Sequence, residues 1–418
     1  MKAVFESLAS VIGGEAAVRA ANFVAVLFIA RAYGGTTLGA YALSLAVVTI
    51  VVMFADNGLQ TAAITLLTST TDGRDQVIGR LFISKTILLA AAVVVLLAVV
   101  VWTGPSALFP AIGSWVTLRA VLQSYSQLQM AIFKALSKAI WIGIIQFAHS
   151  LILLLGIGLS FKQGWSVLVL LAWMTFAQLF ELLFGAVILY RSGAWFRWPE
   201  HFHFIAIVKM AAPFGIAYGL ANLIIRSDTV ILSIFAPLSE IGAFSAANAI
   251  LLIVYVSSWL FGSILLPEMV RLSSNSAGLK IYANQWMRWL LLVIVPGALL
   301  LALAAPRAIV LLYGPSFASS GAVASVMVLA CPLILLNAIY TSLTIATNSR
   351  AILLGIYGFG ALATVGLDFV LGRAFKSIGV ASAIVVREAG ILLGFWLLTS
   401  YLPSPRLELE LRSSSGGN

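Results

Sequence analysis

Residues 86–102, TILLAAAVVVLLAVVVW, form a stretch without a single charged side chain. A second uncharged stretch, residues 289–305 (WLLLVIVPGALLLALAA), lies in the other half of the chain. With their flanks, both approach the roughly 20 apolar residues that an α-helix needs to cross the hydrocarbon core of a bilayer. Both are predicted to be transmembrane helices.

The whole chain shares this composition. Of its 418 residues, 62% are hydrophobic and only 9% are charged, with a mean hydropathy of +1.09, whereas a soluble domain has about 25% charged residues. This excludes a water-soluble fold. Twelve apolar segments are predicted to be transmembrane helices, with centres near residues 21, 48, 91, 117, 150, 178, 217, 252, 297, 332, 361 and 389.

The predicted fold is therefore all-α and polytopic, with short connections between the spans. Glu6, Glu15 and Arg19 interrupt the apolar start of the chain, so the first helix is expected to be retained rather than cleaved as a signal peptide. With a cytoplasmic N-terminus, most loop lysines and arginines fall on the cytoplasmic side, which the positive-inside rule favours. Both termini are thus predicted to be cytoplasmic. The net charge of +10 is spread among loops instead of forming a nucleic-acid patch.

The two halves of the chain resemble each other. Residues 38–41 (LGAY) align with residues 241–244 (IGAF) at a shift of 203 positions, and each copy follows the first helix of a six-helix half. Repeats in the same topology predict two pseudo-symmetric bundles around a central cavity. We predict six-helix bundles over residues 1–200 and 201–402 and a disordered, cytoplasmic tail over residues 403–418, which is rich in serine.

Several short motifs occur along the chain in a fixed order. They are residues 31–34 (RAYG), 39–43 (GAYAL), 56–59 (DNGL), 226–228 (RSD), 242–246 (GAFSA), 267–272 (PEMVRL) and 312–317 (LYGPSF). In this order they resemble the Wzx-type polysaccharide or O-antigen flippases of the multidrug/oligosaccharidyl-lipid/polysaccharide exporter (MOP) superfamily. Residues 372–379 (GRAFKSIG) depart from that family's usual proline-glycine ending after the eleventh helix.

The resemblance implies a function and its surroundings. The substrate would be an undecaprenyl-diphosphate-linked oligosaccharide, moved by alternating access from the cytoplasmic to the periplasmic leaflet of the bacterial inner membrane for O-antigen or exopolysaccharide synthesis. It implies membrane lipids, H⁺ or Na⁺, a polysaccharide polymerase and a chain-length regulator as partners. Two alternatives stay open: a multidrug-type cation-coupled exporter of the same superfamily, and a membrane glycan polymerase or glycosyltransferase.

Polar residues recur at helical spacing inside several predicted spans. Arg19 and Asn22 share a face of the first helix, and Asn222 and Arg226 share a face of the seventh. Charged groups in a membrane span usually face a bundle interior or an aqueous cavity, and arginine donates paired hydrogen bonds to phosphate. The predicted substrate-binding residues are Arg19, Asn22, Arg119, Gln123, Tyr218, Asn222, Arg226 and Asn337.

Four intramembrane carboxylates are predicted to serve in ion coupling or gating, because a buried carboxylate binds a proton or Na⁺. They are Asp56, Glu181, Asp228 and Asp368. A purely structural role stays open for each of them. Structural alternatives also stay open for other charged residues. Glu15 and Arg19 would form an ion pair, Arg226 would extend to a membrane interface, and Arg387 and Glu388 would pack against neighbouring helices.

Catalytic signatures are weak throughout the sequence. Cys331 lies alone in an apolar segment, and His149, His201 and His203 have no metal-ligand spacing with it or with carboxylates. The glycines of residues 355–360 lie in a hydrophobic helix and follow no strand, so they are not predicted to bind a nucleotide. We expect a transporter without enzymatic activity, metal or cofactor.

Overall fold

The computed structural model describes residues 2–69, 73–103, 108–347 and 349–400, so the predicted tail lies outside the described residues. Within these ranges the chain forms α-helices and one short 3₁₀ turn, Pro315–Phe317, and no strand. The helices are α1 (Lys2–Ser69), α2 (Arg74–Thr103), α3 (Leu108–Ala135), α4 (Ile140–Gln163), α5 (Val167–Arg191), α6 (Phe204–Phe235), α7 (Leu238–Arg271), α8 (Ser276–Tyr313), α9 (Ser320–Val328), α10 (Ala330–Ala346) and α11 (Arg350–Ser400).

The all-α, membrane-spanning fold predicted from the sequence is confirmed, and each predicted span centre lies inside a helix. Eight helices of the described part are long and apolar enough to cross a membrane. The apolar parts of α1 and α11 are 45 and 48 residues long, roughly 70 Å at 1.5 Å per residue, so each provides two spans of a bilayer core about 30 Å thick. The helices α3 and α6 cover two further centres, near residues 117 and 217.

The two longest helices change direction at single residues. In α1 the break is at Gly34, whose φ of 82° and ψ of 177° are easy only for glycine. In α11 it is at Lys376, with φ of 50°. The carboxylate of Glu240 on α7 accepts hydrogen bonds from the Ser377 backbone N–H (3.2 Å) and hydroxyl (2.9 Å), which holds this second break in place.

The chain divides into two compact units, one extending to Val230 and the other beginning at Ile231, within α6. The predicted domain boundary at residue 200 stays a prediction. The first unit has a core of aliphatic side chains that includes Leu81 and Ile132. In the second unit the Tyr340 and Phe395 rings stack with centroids 6.0 Å apart.

Large apolar side chains cover the outer surfaces of the helices. Ile264, Leu303 and Leu362 are 73%, 79% and 77% exposed, respectively, and they are three of many such residues. Soluble proteins rarely expose contiguous apolar patches of more than a few hundred Å². Since lipid tails are the solvent for which these surfaces are suited, the protein is a multi-pass membrane protein.

Close packing of α1 against α4 depends on a glycine. A Cβ on Gly14 would lie 2.6 Å from the Cα of Gly143 and 2.9 Å from Oε1 of Gln146, whereas a Cβ on neighbouring Gly13 would meet nothing within 4 Å. We therefore expect Gly14→Ala to destabilise the protein by about 1–3 kcal/mol through overpacking. The matched variant Gly13→Ala should leave stability unchanged or raise it, because alanine favours the helix. Thermal unfolding of both variants in detergent checks this, and equal midpoints would contradict the packing.

Candidate functional site

A partly buried polar cluster in the first unit is built around Arg119 on α3. Its Nη2 donates to Oδ1 of Asn22 on α1 at 2.6 Å, and its Nη1 donates to the hydroxyl of Tyr41 at 3.4 Å. The Nδ2 of Asn22 donates to the Val18 carbonyl at 2.8 Å, so the amide oxygen is the atom that faces the arginine. Two sections of α1 thus hold the Arg119 guanidinium in a fixed direction.

A second arginine lies near the same tyrosine. Arg226 on α6 is close to Tyr41, which is only 5% exposed. The Nε atoms of Arg119 and Arg226 are both buried and have no hydrogen-bond partner within the described residues. Buried donors of this kind are nearly always satisfied in folded proteins, by ordered water or by a bound group.

The pair of Glu15 and Arg19 lies on the same stretch of α1. Arg19 Nη2 is 2.9 Å from Glu15 Oε1, and both side chains are about half exposed, at 53% and 49%. The pairing that the sequence offered as one interpretation is therefore present in the structure. With Arg119 and Arg226, these residues give three positive charges and one negative charge, so the group is net cationic.

The other predicted binding residues have varied surroundings. Gln123 is exposed on α3 one turn after Arg119, and Asn222 is half-buried on α6 one turn before Arg226. Asp228 is buried in the first unit. The side chains of Tyr218 and Asp56 lie outside the part of the structure that is described.

Glu181 on α5 has a partner that the sequence analysis left unassigned. Its Oε2 lies 2.8 Å from Nδ1 of His149 on α4, and that nitrogen also lies 3.1 Å from the Ala177 carbonyl. Both side chains are buried. Periodicity could not predict the pair, since the two residues belong to different helices, although a histidine and a glutamate in neighbouring apolar spans are a signal for such a contact.

The second unit contains its own buried polar network. Glu388 on α11 accepts hydrogen bonds from Tyr255 at 2.8 Å and from Nδ2 of Asn337 at 2.9 Å. Arg387 donates to Tyr255 at 2.9 Å and to the Thr364 hydroxyl at 3.3 Å. The amide of Asn337 is therefore bound to Glu388, and its predicted role with substrate stays a prediction.

Asp368 lies in the same unit, on α11, one turn after Thr364, and is buried. In the described part of the chain, no group of three or more histidine, cysteine or acidic residues could hold a metal ion. The polar chemistry found in these ranges is hydrogen bonding and charge pairing.

The contact between Asn22 and Arg119 provides a test of how the site is positioned. We expect Asn22→Ala to lower transport about three- to tenfold, because loss of one hydrogen bond to a charged group costs about 1.5–3 kcal/mol and Tyr41 still holds part of the guanidinium. Asn22→Asp should keep Arg119 in place but neutralise it, and should lower transport further. Initial transport rates in vesicles measure both effects, and wild-type rates for both variants would contradict the assigned contact.

Comparisons with known proteins agree with this arrangement of helices. Residues 4–273 match the model of the family described as "Polysaccharide biosynthesis protein". No curated protein sequence matches the chain at a significant level.

Solved structures of similar fold are membrane transporters. The structure described as "Lipid II flippase MurJ, inward closed conformation" is similar with a TM-score of 0.74 and 12% identity, over 96% of this chain and 88% of that one. An inward-facing multidrug resistance MATE family transporter of the MOP superfamily has a TM-score of 0.75 and 14% identity, over 90% and 92%.

A MOP superfamily transporter from Pyrococcus furiosus has a TM-score of 0.64 and 13% identity, over 95% of this chain and 93% of that one. At these identities the likeness establishes the fold. Since the family model covers well over half of the sequence, the chain belongs to the polysaccharide biosynthesis protein family and has the fold of MOP superfamily transporters.

Proposed function

We propose that this protein flips an undecaprenyl-diphosphate-linked oligosaccharide from the cytoplasmic to the outer leaflet of the bacterial inner membrane by alternating access, with both termini in the cytoplasm. The single observation that carries the proposal is the pair Arg119 and Arg226, which both lie near Tyr41 and keep buried Nε donors without an acceptor in the described residues. Charged side chains in membrane spans are costly, and an anion bound by the two guanidinium groups would offset that cost.

The chemistry of the substrate matches this cluster. A diphosphate has negatively charged oxygens that accept paired hydrogen bonds from the planar guanidinium, whose charge persists at any working pH. The glycan would contact amides such as those of Gln123 and Asn222, and the prenyl tail would stay in lipid. The membership in a polysaccharide biosynthesis family and the fold shared with a lipid II flippase support this substrate class.

Ion coupling would supply the driving force, with H⁺ or Na⁺ binding at Asp56, Glu181, Asp228 or Asp368. A polysaccharide polymerase and a chain-length regulator would act on the delivered substrate. We further propose that the protein itself catalyses no reaction.

A multidrug exporter is the second candidate, because a MATE family transporter shares the fold. Cationic drugs, however, would be repelled by Arg19, Arg119 and Arg226, which outnumber the nearby Glu15. A membrane glycan polymerase is a third, weaker candidate, because the connections between the helices are short and offer no extramembrane domain for a glycan.

Reconstitution in vesicles distinguishes these candidates. The probe is a fluorescent polyprenyl-diphosphate oligosaccharide, and the readouts are its leaflet distribution and the length of its glycan. We expect transfer without any change in glycan length. Elongation of the glycan would identify a polymerase, and transport of a lipophilic cation in place of the lipid would identify a drug exporter.

A further inference from the structure

In the first unit, the imidazole of His149 and the carboxylate of Glu181 form a deeply buried pair. The imidazole is 1% exposed and the carboxylate side chain 6%. A backbone carbonyl only accepts hydrogen bonds, so the His149 Nδ1 that lies 3.1 Å from the Ala177 carbonyl is the donor in that bond, and Glu181 Oε2 lies 2.8 Å from the same nitrogen. The tautomer is thereby fixed, and the lone pair of the neutral ring is on Nε2.

We propose that His149 and Glu181 form the proton-binding site that couples transport to H⁺, which would make H⁺ rather than Na⁺ the coupling ion. This inference rests on the proposed transport function. In the resting pair a neutral imidazole lies beside a carboxylate, and the net charge is negative. A proton that adds to the Nε2 lone pair forms a new N–H bond and makes the pair an imidazolium carboxylate of zero net charge.

Because the pair is buried, binding of a proton changes its free energy strongly. An isolated charge costs far more in an apolar interior than a neutralised pair does. Proton binding therefore changes how well the pair is accommodated between α4 and α5.

The geometry also favours H⁺ over Na⁺. A Na⁺ site uses carboxylate and carbonyl oxygens, but here the Nδ1–H of His149 is hydrogen-bonded to the Ala177 carbonyl and its nitrogen lies 2.8 Å from Glu181 Oε2. Donors of this kind repel a cation.

The contact between His149 and Glu181 is one of several that join α4 to α5. Farther along, the Trp173 indole donates to the Ile152 carbonyl at 2.8 Å and its ring lies against Gly156, where a Cβ would not fit. The contacts with Glu181 and Ala177 are the polar part of this interface, so a change of charge there acts on helices that are closely packed at Gly156.

A hydrogen bond connects this interface to the cationic cluster. Gln178, next to Ala177 on α5, donates to the Ser126 hydroxyl on α3 at 3.3 Å. Ser126 follows Arg119 by seven residues, two helical turns, and so lies on the same face of α3. A shift of α5 against α3 on protonation would therefore reach Arg119.

Other charged groups on the helices that pack against α4 and α5 are competitors for the proton. These helices are α1 and α3, and where their side chains are described the charged residues are Glu15, Arg19, Arg31, Arg119 and Lys134. Glu15 is bound to Arg19, and Arg119 to Asn22 and Tyr41. Among these described residues, the hydrogen bond of His149 and its contact with a carboxylate are both to α5.

Nuclear magnetic resonance tests proton binding without any transport. The chain has three histidines, so His201→Gln together with His203→Gln leaves His149 as the only imidazole to label with ¹⁵N. We expect a form with both ring nitrogens protonated to appear as the pH is lowered while the fold is retained, and Glu181→Gln to change the fraction of that form at a fixed pH. The control Glu200→Gln, at an exposed position, should not. A ring that stays neutral at every pH at which the protein is folded, or a fraction unaffected by Glu181→Gln, would overturn the proposal.

Transport in vesicles tests the coupling itself, with the fluorescent polyprenyl-diphosphate oligosaccharide as probe. With one proton exchanged per substrate, a gradient of one pH unit sustains up to about tenfold accumulation in the receiving leaflet. We expect this ratio to fall to about one in Glu181→Gln and His149→Gln. Accumulation driven by a Na⁺ gradient instead, or unchanged in both variants, would overturn the proton site. If no gradient moves the lipid, the transport function fails, and the resonance titration still decides the proton site.

Discussion

Replacing Arg119 by alanine should lower the initial rate of lipid transfer about ten- to a hundredfold, which corresponds to the about 1.5–3 kcal/mol of a hydrogen bond to a charged group. The side chain is held by Asn22 and Tyr41 and retains a buried Nε donor, so its loss removes an oriented cation from the proposed diphosphate site. Fluorescence of the labelled lipid in the outer leaflet of vesicles measures the rate.

Two further variants make this result specific. Arg119→Lys keeps the charge but loses the planar fork, so we expect an intermediate rate. Arg191→Ala removes an exposed arginine at the end of α5 and should transport as the wild type does. The role of Arg119 is contradicted if its alanine variant inserts normally and transfers lipid at the same rate as Arg191→Ala.

Replacing Glu388 by alanine should have the largest effect on stability. The carboxylate is buried and accepts hydrogen bonds from Tyr255, Asn337 and Arg387 at 2.8, 2.9 and 3.3 Å. Its removal leaves Arg387, 1% exposed, with less compensating charge, and breaking a buried pair in this way costs about 3–5 kcal/mol. We expect the Tm in detergent to fall by roughly 10 °C.

A surface pair provides the matched control for this experiment. Glu268 lies 2.6 Å from Arg271 on α7, but these side chains are 35% and 74% exposed. Exposed pairs contribute little because water and salt screen them, so Glu268→Ala should leave the Tm unchanged. If the two alanine variants had the same Tm, the network around Glu388 would not stabilise the second unit.

The sequence predicted the helices because their signal is local. An uncharged stretch such as residues 86–102 has only one stable conformation in lipid, the α-helix, since its backbone must satisfy its own hydrogen bonds. The merging of two predicted spans into α1 was not predicted. It depends on Gly34, where a positive φ turns the chain without an intervening loop.

The candidate site was only partly predictable, because its contacts join residues that are far apart in the sequence. Helical spacing identified Asn22 and Arg119 as polar residues of their helices, but it contains no information about contacts between residues 97 positions apart. Tyr41 was noticed only as part of a motif, and its hydrogen bond with Arg119 emerged from the fold. His149 was missed as the partner of Glu181 for the same reason.

We propose that Arg119 and Arg226 recognise the diphosphate of a lipid-linked glycan. The most direct measurement compares transfer of a polyprenyl-diphosphate oligosaccharide with transfer of the same lipid in which a neutral linker replaces the diphosphate. We expect the wild type to move the charged lipid at least about tenfold faster than the neutral one, as expected for contacts of about 1.5–3 kcal/mol. We expect Arg119→Ala to remove most of this preference. Equal transfer of both lipids by the wild type would contradict the proposal.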